Sequence, residues 1–479
     1  MQKFFFRSLF LLLALNLLVK PLWIFAIDRQ VQVITGYEVY GKYFALLNLS
    51  MVFSFLADLG ITFYFNQKAA AEINKAPVLF LQSLAVKFFL SLVYTGVVFT
   101  AALISKVSDM RLLGLLAILQ LAVSFLLLLR AKLTANQLFH FDAFVSVTDK
   151  LFVIIAAGLM IYFPGFAGPI SIYSFVYVQI VGVAIALLLS VFFLLRTRSV
   201  NARRKIKLKE SLRQVFKASL PFALNVFFMT VLMRGDSFLL ERMHTDGARE
   251  AGIYAAAYRL LDAVNMVGFL FAGFLLPYIA HHQLEKERIQ STILACRHML
   301  CLGFITIAAL CFAIPGSVNR LLYQQTDSYS ASIIALTILA LPGLALAHVY
   351  GTVLTATGNI RQFLNITLVF TGLSLLFNIL FIRQWGAAAC SSIAAVMQLI
   401  YGLVLMYAAT GKTRIKAELK LLLACCFIGL LCWGIMKIVQ YYHWNEAAAV
   451  FIMAGAVIVY ALVSRRLGLK EVLQMITEK

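Results

Sequence analysis

Apolar residues run in blocks of about twenty along the whole chain, separated by short polar segments. A block of that length crosses a bilayer core as one helix. The pattern predicts fourteen spans, at about 8–27, 43–65, 78–104, 111–130, 143–163, 171–195, 218–240, 252–279, 293–314, 332–356, 362–382, 387–409, 419–440 and 446–464. Lys3 and Arg7 before the first block have the look of a signal peptide. The apolar stretch runs on to Ile27 with no small-residue cleavage site, so it reads as a retained first helix. An even number of spans places both termini on one side of the membrane.

Composition narrows the class further. Of 479 residues, 62% are hydrophobic and 13% charged, and the mean hydropathy is +0.92. A soluble globular chain carries roughly 25% charged residues. A soluble enzyme, a disordered chain and a nucleic-acid module are thereby excluded. The net charge of +21 then speaks of orientation rather than of nucleic acid. With the termini inside, the outer segments hold only Arg29, Lys106, Arg111, Arg242, Arg249, Arg320 and Arg383 of the 41 Lys and Arg. That bias predicts cytoplasmic termini. The seven cysteines begin at Cys296, lie in or beside apolar runs and form no CxxC pair, so neither zinc nor a disulfide framework is indicated. Gly411-Lys412-Thr413 lacks the upstream glycine of a phosphate-binding loop, so no nucleotide-driven pump is indicated.

The densest basic run is Arg196–Lys217, where Arg203, Arg204, Lys205, Lys207, Lys209 and Arg213 alternate with Ile206, Leu208, Leu212 and Val215. It reads as an interfacial amphipathic helix or as a topology determinant. It also divides two stretches that share a weak repeat. Ala14-Leu15-Asn16 returns as Ala223-Leu224-Asn225, and Gly41-x-Tyr43 returns at nearly the same offset as Gly252-x-Tyr254. The expected organisation is an all-α polytopic membrane protein with about fourteen transmembrane helices. An N-lobe (1–195), a basic cytoplasmic linker (196–217) and a C-lobe (218–410) form two pseudo-symmetric six-helix lobes. Helices thirteen and fourteen and a cytoplasmic tail (411–479) follow. Parallel repeats of this kind are a transporter architecture, with the substrate path expected between the lobes.

Charges inside spans cost about 2.5–3.5 kcal/mol each at a helix centre, so they tend to face a wet cavity or a partner. Lys20 lies deep in the first span, before Pro21 and one turn after Asn16. Ser83, Lys87, Ser91 and Thr95 recur every fourth residue and form one polar face, with the ammonium about 13 Å from the inner end. The seventh span carries Asn225, Arg234 and Asp236; the eighth carries Arg259, Asp262 and Asn265; the second carries Ser54 and Asp58. One reading is a mainly cationic cavity suited to a phosphate or diphosphate, gripped by Lys20, Lys87, Arg234 and Arg259. Asn16, Asp58, Asn225, Asp236, Asp262 and Asn265 would be its polar or ion-coupling members. The other reading is paired charges that hold helices together, Arg259 with Asp262 and Arg234 with Asp236. No metal or organic cofactor is expected.

Several of these stretches resemble one family. Arg234-Gly-Asp236-Ser-Phe-Leu-Leu-Glu241 followed by Gly252-Ile-Tyr254-Ala-Ala-Ala-Tyr258-Arg-Leu260 is similar to the seventh and eighth helices of polysaccharide transporters. Tyr350–Asn359, Asn378–Ala389, Gly41-x-Tyr43 and Asp58-Leu-Gly60-Ile add to the likeness, although Arg383-Gln384 departs from the family's proline pattern. The chain resembles the O-antigen flippase branch of the multidrug/oligosaccharidyl-lipid/polysaccharide exporter superfamily. The resemblance implies a MATE-like fold in the bacterial inner membrane and a non-enzymatic flippase working by alternating access, with H+ or Na+ coupling. Its substrate would be an undecaprenyl-diphosphate-linked oligosaccharide, the repeat unit of an O-antigen, capsule or exopolysaccharide. Polysaccharide polymerase and chain-length machinery would be its partners, alongside membrane lipids. The alternatives are a multidrug exporter of the same superfamily, a peptidoglycan-precursor flippase, and a membrane glycosyltransferase or polymerase.

Overall fold

A computed structural model describes residues 2–71, 76–163, 165, 168–196, 208–281, 286–413, 434 and 455. The predicted spans 419–440 and 446–464 lie outside the described residues, apart from Gly434 and Gly455. Half of the predicted basic linker, residues 197–207, lies outside them too. Its end, from Leu208, is continuous with the helix that follows.

Among the described residues every regular element is helical. Ten continuous helical runs among the described residues are long and apolar enough to cross a membrane. They take up twelve of the predicted spans, because the first and last runs each hold two. The protein is therefore an all-α, multi-pass membrane protein. It divides into two compact units, Met1–Gly252 and Ile253–Lys479.

In the first unit α1 (Gln2–Leu22) contains Pro21 and passes into a π-helical turn over Trp23–Asp28. Proline withholds a backbone donor, and a wide turn after it is a common accommodation. α2 (Arg29–Phe53) follows without a gap, interrupted at Gly36 where φ is +78°. The segment between the first two predicted spans is thus helix, not loop. Its polar residues mark departure from lipid rather than an end to the helix.

The second predicted span, in contrast, is broken. A 3-10 turn over Ser54–Ala57 ends at Asp58, and Leu59 and Gly60 both have positive φ before α3 (Ile61–Ala71) begins. A hydropathy average over the span does not show this break, because Asp58 and Gly60 are two residues in an otherwise apolar run. α4 (Ala76–Ile104), α5 (Met110–Ala135), α6 (Phe139–Tyr162) and α7 (Ile172–Arg196) follow the predicted spans closely. The predicted polar face of α4 is its inward face: Ser83, Lys87 and Ser91 are buried, while Phe88, Phe89 and Leu92 are exposed, as for side chains that meet lipid. α8 (Leu208–Met243) completes the unit together with the first turns of α9 (Gly247–His281).

The second unit continues α9 and adds α10 (Lys286–Ala313), α11 (Pro315–Tyr323), α12 (Ser328–Ile338), α13 (Leu341–Ala356) and α14 (Ile360–Thr413). α11 lies where a loop is predicted. The predicted tenth span is two helices, with Pro342 in the first turn of the second. α14 carries two predicted spans joined at Gly386, whose φ of +52° and ψ of −131° suit a residue without Cβ.

The start of α12 is set by Asp327, whose carboxylate accepts from the backbone N–H of Tyr329 and Ser330 at 3.2 and 3.0 Å. Asp327→Ala removes this cap and should cost about 1 kcal/mol. The checking measurement is thermal unfolding of the detergent-solubilised protein, with Asp327→Asn expected to retain most of the stability.

Candidate functional site

The predicted site residues fall into separate polar clusters, each built by a few helices. The first joins α1, α5 and α6. Asn16 donates to Ser146 Oγ at 2.8 Å and to the Leu12 carbonyl at 2.7 Å. One helical turn further, the Lys150 ammonium stands 4.4 Å from the centre of the Trp23 ring and 3.3 Å from Asp149. Pairs at 16–146 and 23–150 show that α1 and α6 run in the same direction. At the junction of α5 and α6, Arg130 binds Asp142 with two hydrogen bonds of 2.7 and 3.3 Å.

Lys20 lies within this group, half-buried and close enough to Arg130, Lys150 and Asp149 to feel their charges. Among the described residues its ammonium has no hydrogen bond or ion pair. The cluster holds three cations, Lys20, Arg130 and Lys150, against two carboxylates, Asp142 and Asp149. Arg130 and Lys150 are not among the residues singled out from sequence. Each lies near a boundary or a carboxylate that makes it look like ordinary loop or surface charge.

Breaking the Arg130–Asp142 pair has a clear consequence. Asp142 is almost fully buried, so Arg130→Ala leaves a carboxylate without its partner. Such losses cost about 3–5 kcal/mol when both groups are buried, and less where one is partly exposed as Arg130 is. The double variant Arg130→Ala/Asp142→Ala should recover part of the lost melting temperature. Additive losses in the double-mutant cycle would show that the pair does not couple.

The second cluster surrounds the break after α2. Lys87 Nζ is wholly buried and lies 2.6 Å from Asp58 Oδ1, 3.2 Å from Thr62 Oγ1 and 2.6 Å from the Ser124 carbonyl. Its three protons thus have protein acceptors. The third cluster joins α2 and α8. Arg234 donates to Asn48 Oδ1 at 3.4 Å, Asn48 donates to Ser237 Oγ at 3.0 Å, and Asp236 accepts from the Ser237 backbone N–H at 2.7 Å. Asn48, Ser237 and Asp236 are all buried. Asn225, also on α8, is buried and points its amide at Met229 Sδ, 3.4 Å away.

The second unit holds the rest. Arg259 and Asp262 face each other at 3.8 Å on successive turns of α9, both largely buried. Asn265 Oδ1 lies 2.6 Å from His348 Nε2 on α13. Two residues not singled out from sequence join this side. His348 fills the space beside Gly268, where a Cβ would overlap its ring. Arg297 is wholly buried and donates to the Tyr350 hydroxyl at 3.2 Å. A histidine midway along an apolar run was the available signal for the first. Arg297 lies only a few residues inside its span, where a basic side chain ordinarily snorkels outward.

These arrangements can bind and orient charged groups. A family model for polysaccharide biosynthesis proteins matches residues 7–283, more than half of the chain. The chain belongs to the polysaccharide biosynthesis protein family. Its fold is that of the multidrug/oligosaccharidyl-lipid/polysaccharide exporters. It is similar to a structure of the lipid II flippase MurJ in an inward closed conformation (TM-score 0.62, 15% identity, 97% of this chain and 99% of that chain covered). It is also similar to an inward-facing multidrug resistance MATE transporter (TM-score 0.60, 14% identity, 84% and 94% covered). A third similar structure is a superfamily transporter from Pyrococcus furiosus, described as having a binding pocket of reverse polarity (TM-score 0.62, 12% identity, 85% and 95% covered). No curated protein sequence matches the chain. The family model places the chain among polysaccharide biosynthesis proteins, and the solved structures show the fold it shares.

Proposed function

We propose that the protein moves an undecaprenyl-diphosphate-linked oligosaccharide from the cytoplasmic to the periplasmic leaflet of the bacterial inner membrane by alternating access. The observation that carries the reading is Lys20. It is a cation inside a membrane span whose ammonium has no partner among the described residues, in a cluster with more positive than negative groups. A diphosphate is a ligand that would complete such a group, since phosphate oxygens accept charge-assisted hydrogen bonds from Lys and Arg. Membership of a polysaccharide biosynthesis family points to a glycan as the remainder of the substrate.

In this reading Lys20 is the first contact for the diphosphate, with Arg130 and Lys150 adding field rather than direct grip while they hold their own carboxylates. Arg234 in the first unit and Arg259 in the second would each offer a guanidinium to a phosphate group. Lys87 would reach it only after giving up Asp58. H+ or Na+ binding at Asp236 or Asp262 would bias the return step. The polyprenyl chain would stay in lipid, against apolar side chains such as Phe88 and Leu92. The protein would act beside the polysaccharide polymerase and chain-length machinery.

The test is the sidedness of lipid-linked oligosaccharide in cells lacking the protein, before and after its restoration. Accumulation on the cytoplasmic face, relieved by the wild type, is the expected result. Unchanged sidedness with altered drug tolerance would replace this reading with drug export. Altered glycan length with normal sidedness would replace it with an enzyme.

A further inference from the structure

The Lys87 ammonium sits in a pocket of oxygen atoms alone. Asp58 supplies a carboxylate oxygen at 2.6 Å, the Ser124 carbonyl another at 2.6 Å, and Thr62 a hydroxyl at 3.2 Å. Thr62 Oγ1 also donates to the same Asp58 oxygen at 2.5 Å. Ser124 Oγ reaches back to the Ala57 carbonyl at 3.4 Å, the last carbonyl before the break. Carboxylate, carbonyl and hydroxyl oxygens are the donor set that hard cations take. The pocket lies where the backbone is interrupted, between the 3-10 turn ending at Ala57 and α3 beginning at Ile61, with Leu59 and Gly60 at positive φ. Interrupted membrane helices are where transporters place ion sites, because the freed backbone groups need a charge or water to satisfy them.

We propose that the Lys87 ammonium is a tethered cation in a monovalent-cation site formed by Asp58, Thr62 and the Ser124 carbonyl. The lysine keeps this site filled without Na+ or K+ from solution and pins the helix break in place. Deleting the side chain beyond Cβ opens the site to an external cation. The inference concerns the fold and does not depend on the transported substrate.

The experiment uses the full-length protein fused to a fluorescent reporter. Its folded, monodisperse fraction in detergent is followed against temperature at constant ionic strength. Choline serves as a cation too large to enter, and is replaced in turn by Na+, K+ and n-propylammonium. The last reproduces the atoms that Lys87→Ala removes. Wild type should melt at the same temperature in all four. Lys87→Ala should melt lower in choline and recover saturably, by about 5 °C, in Na+ or n-propylammonium. Lys87→Ser, whose hydroxyl adds a further oxygen, should respond in the same way. Lys87→Ala/Asp58→Asn should not respond. A flat response in both single variants, an equal response in the double variant, or no folded fraction of either single variant in any cation would each overturn the proposal.

Discussion

Gly252→Val should abolish the folded protein, and Gly41→Val should do the same. A Cβ on Gly41 would overlap the Ala248 carbonyl oxygen and the Gly252 nitrogen, and a Cβ on Gly252 would overlap the Tyr37 carbonyl. These obstacles are backbone atoms, so no side-chain rotation relieves them. The surroundings leave no slack: Tyr40, Tyr43 and Phe44 are wholly buried, and Gln32 donates to the Gly252 carbonyl at 2.8 Å. Small residues let helices in membranes approach to this distance, and the contact is then made by the backbones themselves. Overpacking a well-filled core costs about 1–3 kcal/mol when side chains can shift. Here two backbones must separate, against a total stability of about 5–15 kcal/mol for ordinary domains. The check is the yield of monodisperse fusion protein in detergent. Gly96→Ala and Gly372→Ala are the controls, since a Cβ at either meets nothing within 4 Å. Near-normal yield of both valine variants would mean that the close approach is not needed.

The same pair shows how much of the fold can be read in the chain. Gly41-x-Tyr43 and Gly252-x-Tyr254 stand out in the sequence as a repeat, but nothing in the pattern says that the two glycines touch. Spans are legible because a bilayer demands about twenty apolar residues in a row, and each predicted span up to residue 409 falls largely on helix, the second and tenth with a break inside. Interruptions inside such runs are not. The break at Asp58-Leu59-Gly60 and the wide turn over Trp23–Asp28 have no signature in a hydropathy average, and the helix before Gly36 continues where polarity implies a loop.

The site follows the same logic. Periodicity places Ser83, Lys87 and Ser91 on one face of α4, and that face is buried. The partner of Lys87 is 29 residues away on another element, and Asp58 and Lys87 appear in the sequence as two isolated charges. Arg130 with Asp142 is a closer case. The two residues are separated by a helix–helix turn, and only the antiparallel geometry of α5 and α6 brings them together. Charge within one helix is a sequence property, whereas charge pairing between helices is a property of the packed state.

Lys20→Ala should separate stability from transport. An ammonium in a span costs free energy unless the protein offers acceptors, and among the described residues Lys20 has none. Arg130 and Lys150 are like charges in the same cluster, and each holds a carboxylate of its own, Asp142 and Asp149. Removing the charge therefore leaves the melting temperature unchanged or raises it. Asn16, one turn earlier, keeps its bond to Ser146 and with it the register of α1 on α6. Transport should respond in the opposite sense. A hydrogen bond to a charged group contributes about 1.5–3 kcal/mol, which corresponds to roughly a 10- to 100-fold loss of flipping rate when that contact matters in the rate-limiting state. Lys20→Arg, which keeps the charge, should retain much of the rate. Arg130→Ala should lower stability and transport together, because its first role is to satisfy Asp142. The measurement is the rate at which lipid-linked oligosaccharide becomes accessible on the periplasmic face, set beside a melting curve for each variant. A Lys20→Ala protein that transports normally would remove Lys20 from the diphosphate path. One that melts early and transports poorly would make it a structural cation with an undescribed partner. Stable protein with slow transport is the result expected of a cation kept for a ligand from outside the chain.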